Sequence, residues 1–271
     1  MAKAHEPFAC LAVYDATMAR LMDEAGVHLL LAGDSAAEVV LGLPRTMHMP
    51  LDFAVSITAA VRRGASHAHV MADMPFMSYQ ASSDEAMTNA GRFMTDGRAD
   101  SVKLEADESM APLVDRMTRA GIPVCAHVGS RPQTAALTSG YTAAGRSEPE
   151  AERIVRDARA LESAGAVLLL IEAVPPEVTR RVVEASSVPV IGIGAGTDCH
   201  GQILVVHDLL GLSSHPPRFA QPAAELAEPI VQAGLEWVLR VARSELGGKG
   251  YTMRPAKSVE AAPEQSRLGN R

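Results

Sequence analysis

Aromatic side chains are scarce in this chain, at 4% of 271 residues with a single tryptophan. Its core must therefore be built from Leu, Val, Ala, Ile and Met. Cysteine is scarcer still. Cys10, Cys125 and Cys199 are far apart, odd in number and form no CxxC pair, which argues against a zinc or disulfide framework. Cys125 lies in an apolar run and reads as a small core residue. Positive charge is in the minority: 25 Lys and Arg against 32 Asp and Glu leave a formal charge of -7. With no basic stripe, the chain lacks an electrostatic footprint for nucleic acid. Every hydrophobic run falls short of the roughly 18 residues that mark a membrane span. Met1 to Pro7 carry no signal-peptide cleavage pattern. The expectation is a cytoplasmic protein with neither nucleic acid nor membrane as a partner.

What is present is a composition that can bury a large core: 47% apolar and 21% charged. The organising stretch runs from Val27 to Ser35, an apolar run closed by Gly33, Asp34 and Ser35. A run this apolar reads as a strand covered on both faces, as in a parallel sheet with helices outside. The same grammar recurs. Further strands are expected at 8–14, 68–73, 101–105, 123–129, 167–172 and 188–196, with a weaker eighth at 202–208. Helices are expected at 16–25, 51–63, near 82–96, 108–120, 149–164 and 175–186, with a long helical region at 223–246. Residues 36–50 and 139–146 read as loops.

About eight βα repeats in this length fit an α/β fold, a (β/α)8 TIM barrel with a C-terminal helical extension. A doubly wound open sheet is the alternative. The barrel is favoured because no second domain is sustained and no GxGxxG turn follows the first strand. The expected domain is 8–246, with a polar tail at 247–271. The glycine-rich stretch 192–196 is either an anion site or close packing of small residues.

Function is sought where apolar strands end in ionisable residues: Asp34, Asp73, Glu105, His127 and Glu172. Each has a plain structural use, as a cap, a turn residue, an ion-pair partner or a satisfied core histidine. Together they would converge on one cavity at the carboxyl ends of the strands. Lys103 and Glu105, two apart on one strand, point to the same side. Three carboxylates, Asp34, Asp73 and Glu105, suit a hard cation such as Mg2+. Such an ion can chelate a 2-oxo acid and stabilise its enolate. Lys103 can hold a carboxylate or an oxyanion, and Glu172 can serve as general base. The residues alone point to metal-assisted enolisation.

At these residues the chain resembles the ketopantoate hydroxymethyltransferase family of the phosphoenolpyruvate/pyruvate barrel superfamily. The matching motifs include Tyr14-Asp15, Gly33-Asp34-Ser35, residues 72–77, residues 102–105, residues 123–127, Pro132-Gln133, Gly140-Tyr141, Gly145-Arg146, residues 188–196 and His207-Asp208. They are collinear from about residue 10 to 215. The resemblance implies transfer of a hydroxymethyl group from 5,10-methylenetetrahydrofolate to 3-methyl-2-oxobutanoate, towards pantothenate. It implies Asp34 and Asp73 as Mg2+ ligands with Glu105 beside the metal. Asp34, Ser35, Asp73, Lys103 and His127 are then the substrate contacts, and Glu172 is the acid/base. It also implies a homo-oligomer, typically a decamer, in which C-terminal segments help neighbouring subunits.

The chain departs from the family's usual pattern in one region above all. Leu43, Pro44 and Arg45 replace two polar residues and an acid, and Ala36-Ala37-Glu38 replaces a usual Leu-Gly-Met. His200 stands for a usual Asp, and Ser130-Arg131 for a usual Leu-Thr. Two alternatives are therefore carried: a divergent Mg2+-dependent barrel enzyme for another 2-oxo acid, by aldol addition or carbon–carbon cleavage, and a non-catalytic paralogue.

Overall fold

The computed structural model describes residues 6–134, 140–248 and 250–253. Eight strands close into a barrel: β1 (Phe8–Ala12), β2 (Leu29–Ala32), β3 (His69–Asp73), β4 (Ser101–Glu105), β5 (Val124–Gly129), β6 (Leu168–Glu172), β7 (Val190–Ile193) and β8 (Gly201–Val205). Each pairs in parallel with its successor, and β8 returns to β1 from Phe8↔Gly201 to Ala12↔Val205. The strands are short apolar runs buried between the barrel interior and the helices, as a parallel sheet demands. The helices are α1 (Ala16–Glu24), α2 (Ala36–Val39), α3 (Leu51–Gly64), α4 (Ser83–Thr95), α5 (Ala111–Arg119), α6 (Glu148–Ser163), α7 (Pro176–Ala185), α8 (Val206–Leu209) and α9 (Ala227–Ala242).

Local chemistry starts these helices where the sequence implies. The Asp15 carboxylate accepts from Thr17 N and Met18 N at 2.8 and 2.9 Å, capping α1. Ser82 Oγ accepts from Glu85 N at 3.1 Å, capping α4. Proline sits in the first turn of α5, α6 and α7, where its missing N–H costs nothing.

Three stretches differ from the sequence expectation. Residues 36–50 are not all loop: α2 and a 3-10 turn at Thr46–His48 lie within them. Both are too short to leave a periodic signal. The eighth strand stops at Val205, and the next residues wind into the single turn of α8, with Leu210 N donating to Val206 O at 3.0 Å. The third difference is at β7, expected to run to residue 196: it ends at Ile193, and residues 194–200 lead to β8 without a helix. Parallel strands usually need a crossover of a dozen residues or more. Here Gly194 and Gly196 take φ of 59° and 80°, and Gln202 Nε2 donates to Gly196 O at 2.9 Å, so a compact turn suffices.

The chain forms two compact units, Met1–Ala227 and Glu228–Arg271. The first holds the barrel. The second holds nearly all of α9, whose apolar residues are exposed, among them Ile230, Leu235, Trp237 and Val238. Of the polar tail expected at 247–271, residues 249 and 254–271 lie outside the described residues, as do 135–139 of the loop expected at 139–146. No helix among the described residues is long and apolar enough to cross a membrane.

Strand register explains where the polar groups point. Asp73 is level with Lys103, Glu105 with His127, and Gly129 with Glu172. Level neighbours on parallel strands share a face. That face is the barrel interior, at the carboxyl ends of β3 to β6.

Candidate active site

One cavity of about 840 Å³ opens there. Asp34, Ser35, Asp73, Lys103, Glu105, His127 and Glu172, the residues singled out from sequence, all border it. The volume is that of a site for a drug-sized ligand, about 300–1,000 Å³, and exceeds what a five-carbon acid fills.

Lys103 is the electrostatic centre. Its Nζ lies 2.7 Å from Asp73 Oδ1 and 3.3 Å from His127 Nδ1. Burial works against its charge, but Asp73, Asp34 and Glu105 outweigh it and hold the ammonium protonated above its usual range. An ammonium has only donors, so His127 Nδ1 is the acceptor and its proton sits on Nε2. Burial, reinforced by the Lys103 charge, pushes the imidazole well below its usual range, so His127 is neutral. Its Nε2 faces Glu172 Oε2 at 3.4 Å, an approach between a neutral ring and a carboxyl group rather than an ion pair.

Burial raises the carboxylates. Glu105 is driven well above its usual range by desolvation, with the charges of Asp34 and Asp73 adding to the effect against the pull of Lys103. Asp73 is shifted upward by burial and by Asp34. Glu172 moves up to about 7, chiefly through desolvation, with Lys103 restraining the shift. A carboxyl group poised near neutrality, bordering the same cavity as a fixed ammonium, is what proton transfer at physiological pH requires.

Two residues not singled out from sequence hold the carboxylates in place. Gln133 is buried, and its backbone N–H donates to both Glu105 oxygens at 3.1 Å. Its Nε2 donates to Asp34 Oδ2 at 3.0 Å and to Met74 O at 3.0 Å. Tyr79 Oη donates to Gln133 Oε1 at 2.7 Å and accepts from Glu105 N at 3.1 Å. Gln133 stands in a motif quoted for the resemblance, which was the available signal; Tyr79 carried none. At the rim, Tyr141 Oη donates to Glu38 Oε1 at 2.8 Å and joins α2 to the loop at 140–145. Behind the wall, Tyr14 Oη lies 2.8 Å from Ser35 Oγ, and its ring centroid is 5.5 Å from that of His207.

The donor chemistry fits a hard divalent cation. Asp34, Asp73, Glu105 and Glu172 border the cavity with Lys103 as the one buried cation among them, a surplus of carboxyl groups whose charged forms a bound cation would stabilise. The ligand shell is not drawn closed. Among the described residues, no three His, Cys, Asp or Glu side chains have metal-holding spacing. The carboxylate oxygens are instead engaged by Lys103 and Gln133.

This is the architecture of a (β/α)8-barrel enzyme whose working residues stand at the carboxyl ends of the strands. Among solved structures, the chain resembles 2,3-dimethylmalate lyase, a PEP mutase/isocitrate lyase superfamily member. The TM-score is 0.57 at 18% identity over 90% of that chain and 94% of this one, a likeness of fold. The family model for ketopantoate hydroxymethyltransferase matches residues 1–248, and the chain belongs to that family. Relatives named 3-methyl-2-oxobutanoate hydroxymethyltransferase include one from Koribacter versatilis, 43% identical over 84% of this chain and 78% of the relative. Another, from Hyperthermus butylicus, is 44% identical over 90% and 85%.

Proposed function

We propose that this chain transfers a hydroxymethyl group from 5,10-methylenetetrahydrofolate to 3-methyl-2-oxobutanoate, giving 2-dehydropantoate for pantothenate synthesis in the cytoplasm. The observation that carries the reading is Glu172, raised to about 7 in the cavity that Lys103 also borders. Glu172 takes the proton from C3 of the oxo acid. Lys103, kept protonated by its acidic neighbours, faces the negative charge that develops. Neutral His127 directs its Nε2 proton towards Glu172, and Ser35 contacts the substrate carboxylate. Mg2+, held by Asp34 and Asp73 with Glu105 beside it, supplies positive charge that makes the C3 proton easier to remove. In the net reaction a C3–C bond replaces C3–H, the methylene carbon leaves both folate nitrogens, and water provides the hydroxyl.

NMR-detected hydrogen–deuterium exchange at C3, with Mg2+ and without folate, isolates the first step. Exchange should be metal-dependent and at least about 100-fold slower in Glu172→Gln, the scale of a lost general base. Exchange at the wild-type rate in that variant would remove Glu172 from the role.

One observation favours a second reading, in which another 2-oxo acid is the substrate. Glu38, an acid where the family usually carries Met, borders the cavity. A panel of 2-oxo acids decides, and preference for 3-methyl-2-oxobutanoate would sink this alternative. The chain is further read as a homo-oligomer, a reading that the exposed apolar residues of α9 support.

A further inference from the structure

The cavity has two unlike halves. Every group given a part in proton transfer or metal binding sits at the ends of β2 to β6. The remaining arc, from β7 through β8 to β1, presents Ile193, Ile203, Val205 and Ala12 to the same space. No acid of the first half needs this arc, and the cavity is larger than the oxo acid.

Three features of the arc point to a ligand. First, Asp208 borders the cavity, and its carboxylate, which is not closed off from solvent, accepts no hydrogen bond from any described residue. The neighbouring His207 Nδ1 is buried without a hydrogen-bond partner among the described residues. Burying that nitrogen unpaired is costly, so it calls for a partner from outside the chain, while the carboxylate stands open to a donor. Second, Phe219 borders the cavity and packs against Gly194, where a Cβ would come within 2.6 Å of its Cδ1. The ring keeps 40% of its surface exposed and offers an aromatic face. Third, Arg218 borders the cavity and has no ion-pair partner among the described residues. An apolar slot, an aromatic face, a carboxylate lacking donors and a free guanidinium match a flat heteroaromatic ring with adjacent N–H groups and an anionic tail.

We infer that Asp208 anchors the ring of the one-carbon donor, accepting from the adjacent amino and amide N–H groups of a reduced pteridine that lies against Phe219. Arg218 faces its anionic tail. This rests on the folate-dependent reading above. Placed so, the donor enters from the β7–β8–β1 side, and the oxo acid occupies the β2–β6 side.

Calorimetric titration of the full chain with tetrahydrofolate, and separately with 3-methyl-2-oxobutanoate and Mg2+, tests the assignment. Asp208→Asn keeps the shape but replaces one acceptor oxygen by a donor. It should raise the folate Kd at least tenfold and move the oxo-acid Kd less than twofold. Phe219→Ala, at an exposed position, should weaken folate in the same direction. Folate binding unchanged in both variants overturns the anchor while leaving the donor reading intact. A parallel loss of oxo-acid affinity in Asp208→Asn also overturns it, because the carboxylate would then serve the other half. Wild-type protein that binds no folate overturns the anchor and the donor reading together.

Discussion

At the scale of single residues, the proposed role of Glu172 as the base fixes the pH dependence to expect. Burial raises its carboxyl to about 7, so protonation removes the base just below neutrality. A base must be deprotonated, so kcat/KM should rise with pH through about 7. A profile flat from pH 5.5 to 8 would show that another group takes the proton. Gln133 governs geometry rather than proton transfer. It touches Asp34 and Glu105 at once, from a position 99 residues beyond Asp34 in the chain. Gln133→Leu should weaken Mg2+ binding by about 10–100-fold, the usual effect of losing a group that orients metal ligands. Circular dichroism would confirm the fold, and calorimetry would read the affinity. The ionisable residues were legible in the sequence because each interrupts or closes an apolar run. Gln133 and Tyr79 were not legible as parts of the site. They are neutral, lie outside the strands, and matter only because loops bring them back over the carboxylates.

Elements position these residues with little tolerance. β5 ends at Gly129, level with Glu172 on β6. Gly129 has a φ of 92°, and a Cβ there would come within 2.7 Å of Glu172 O and 2.9 Å of Val174 Cγ1. Gly129→Ala should therefore displace the end of β6 and cut the C3 exchange rate at least tenfold, with a fall in thermal midpoint read by calorimetry. The eight strands could be read from apolar runs alone. The start of α4 followed from Ser82 and that of α7 from Pro175 and Pro176. What sequence could not give was α2 and α8, each a single turn, and the early end of β7 at Ile193. In all three places the conformation depends on contacts with distant chain rather than on a repeating pattern.

For the whole molecule, assembly is the open dimension of behaviour. The second unit carries a helix with Ile230, Val231, Leu235, Trp237 and Val238 each more than half exposed. Sedimentation velocity should find the wild-type chain larger than a monomer, and Trp237→Glu with Val238→Glu should shift it to smaller species. A monomeric wild-type chain would end the oligomer reading. The donor–acceptor division of the cavity also belongs to this scale, since it spans all eight strands.

Barrel closure has a consequence for how the chain is made. β1 finds its second partner only when residues 201–205 exist, and those are among the last residues of the barrel unit. At about 5–20 residues per second, a ribosome needs roughly 10–40 s between emitting one and the other. Throughout that interval the nascent chain carries an apolar strand with one edge unsatisfied. Barrel closure therefore ties the pairing of the first strand to the synthesis of the last.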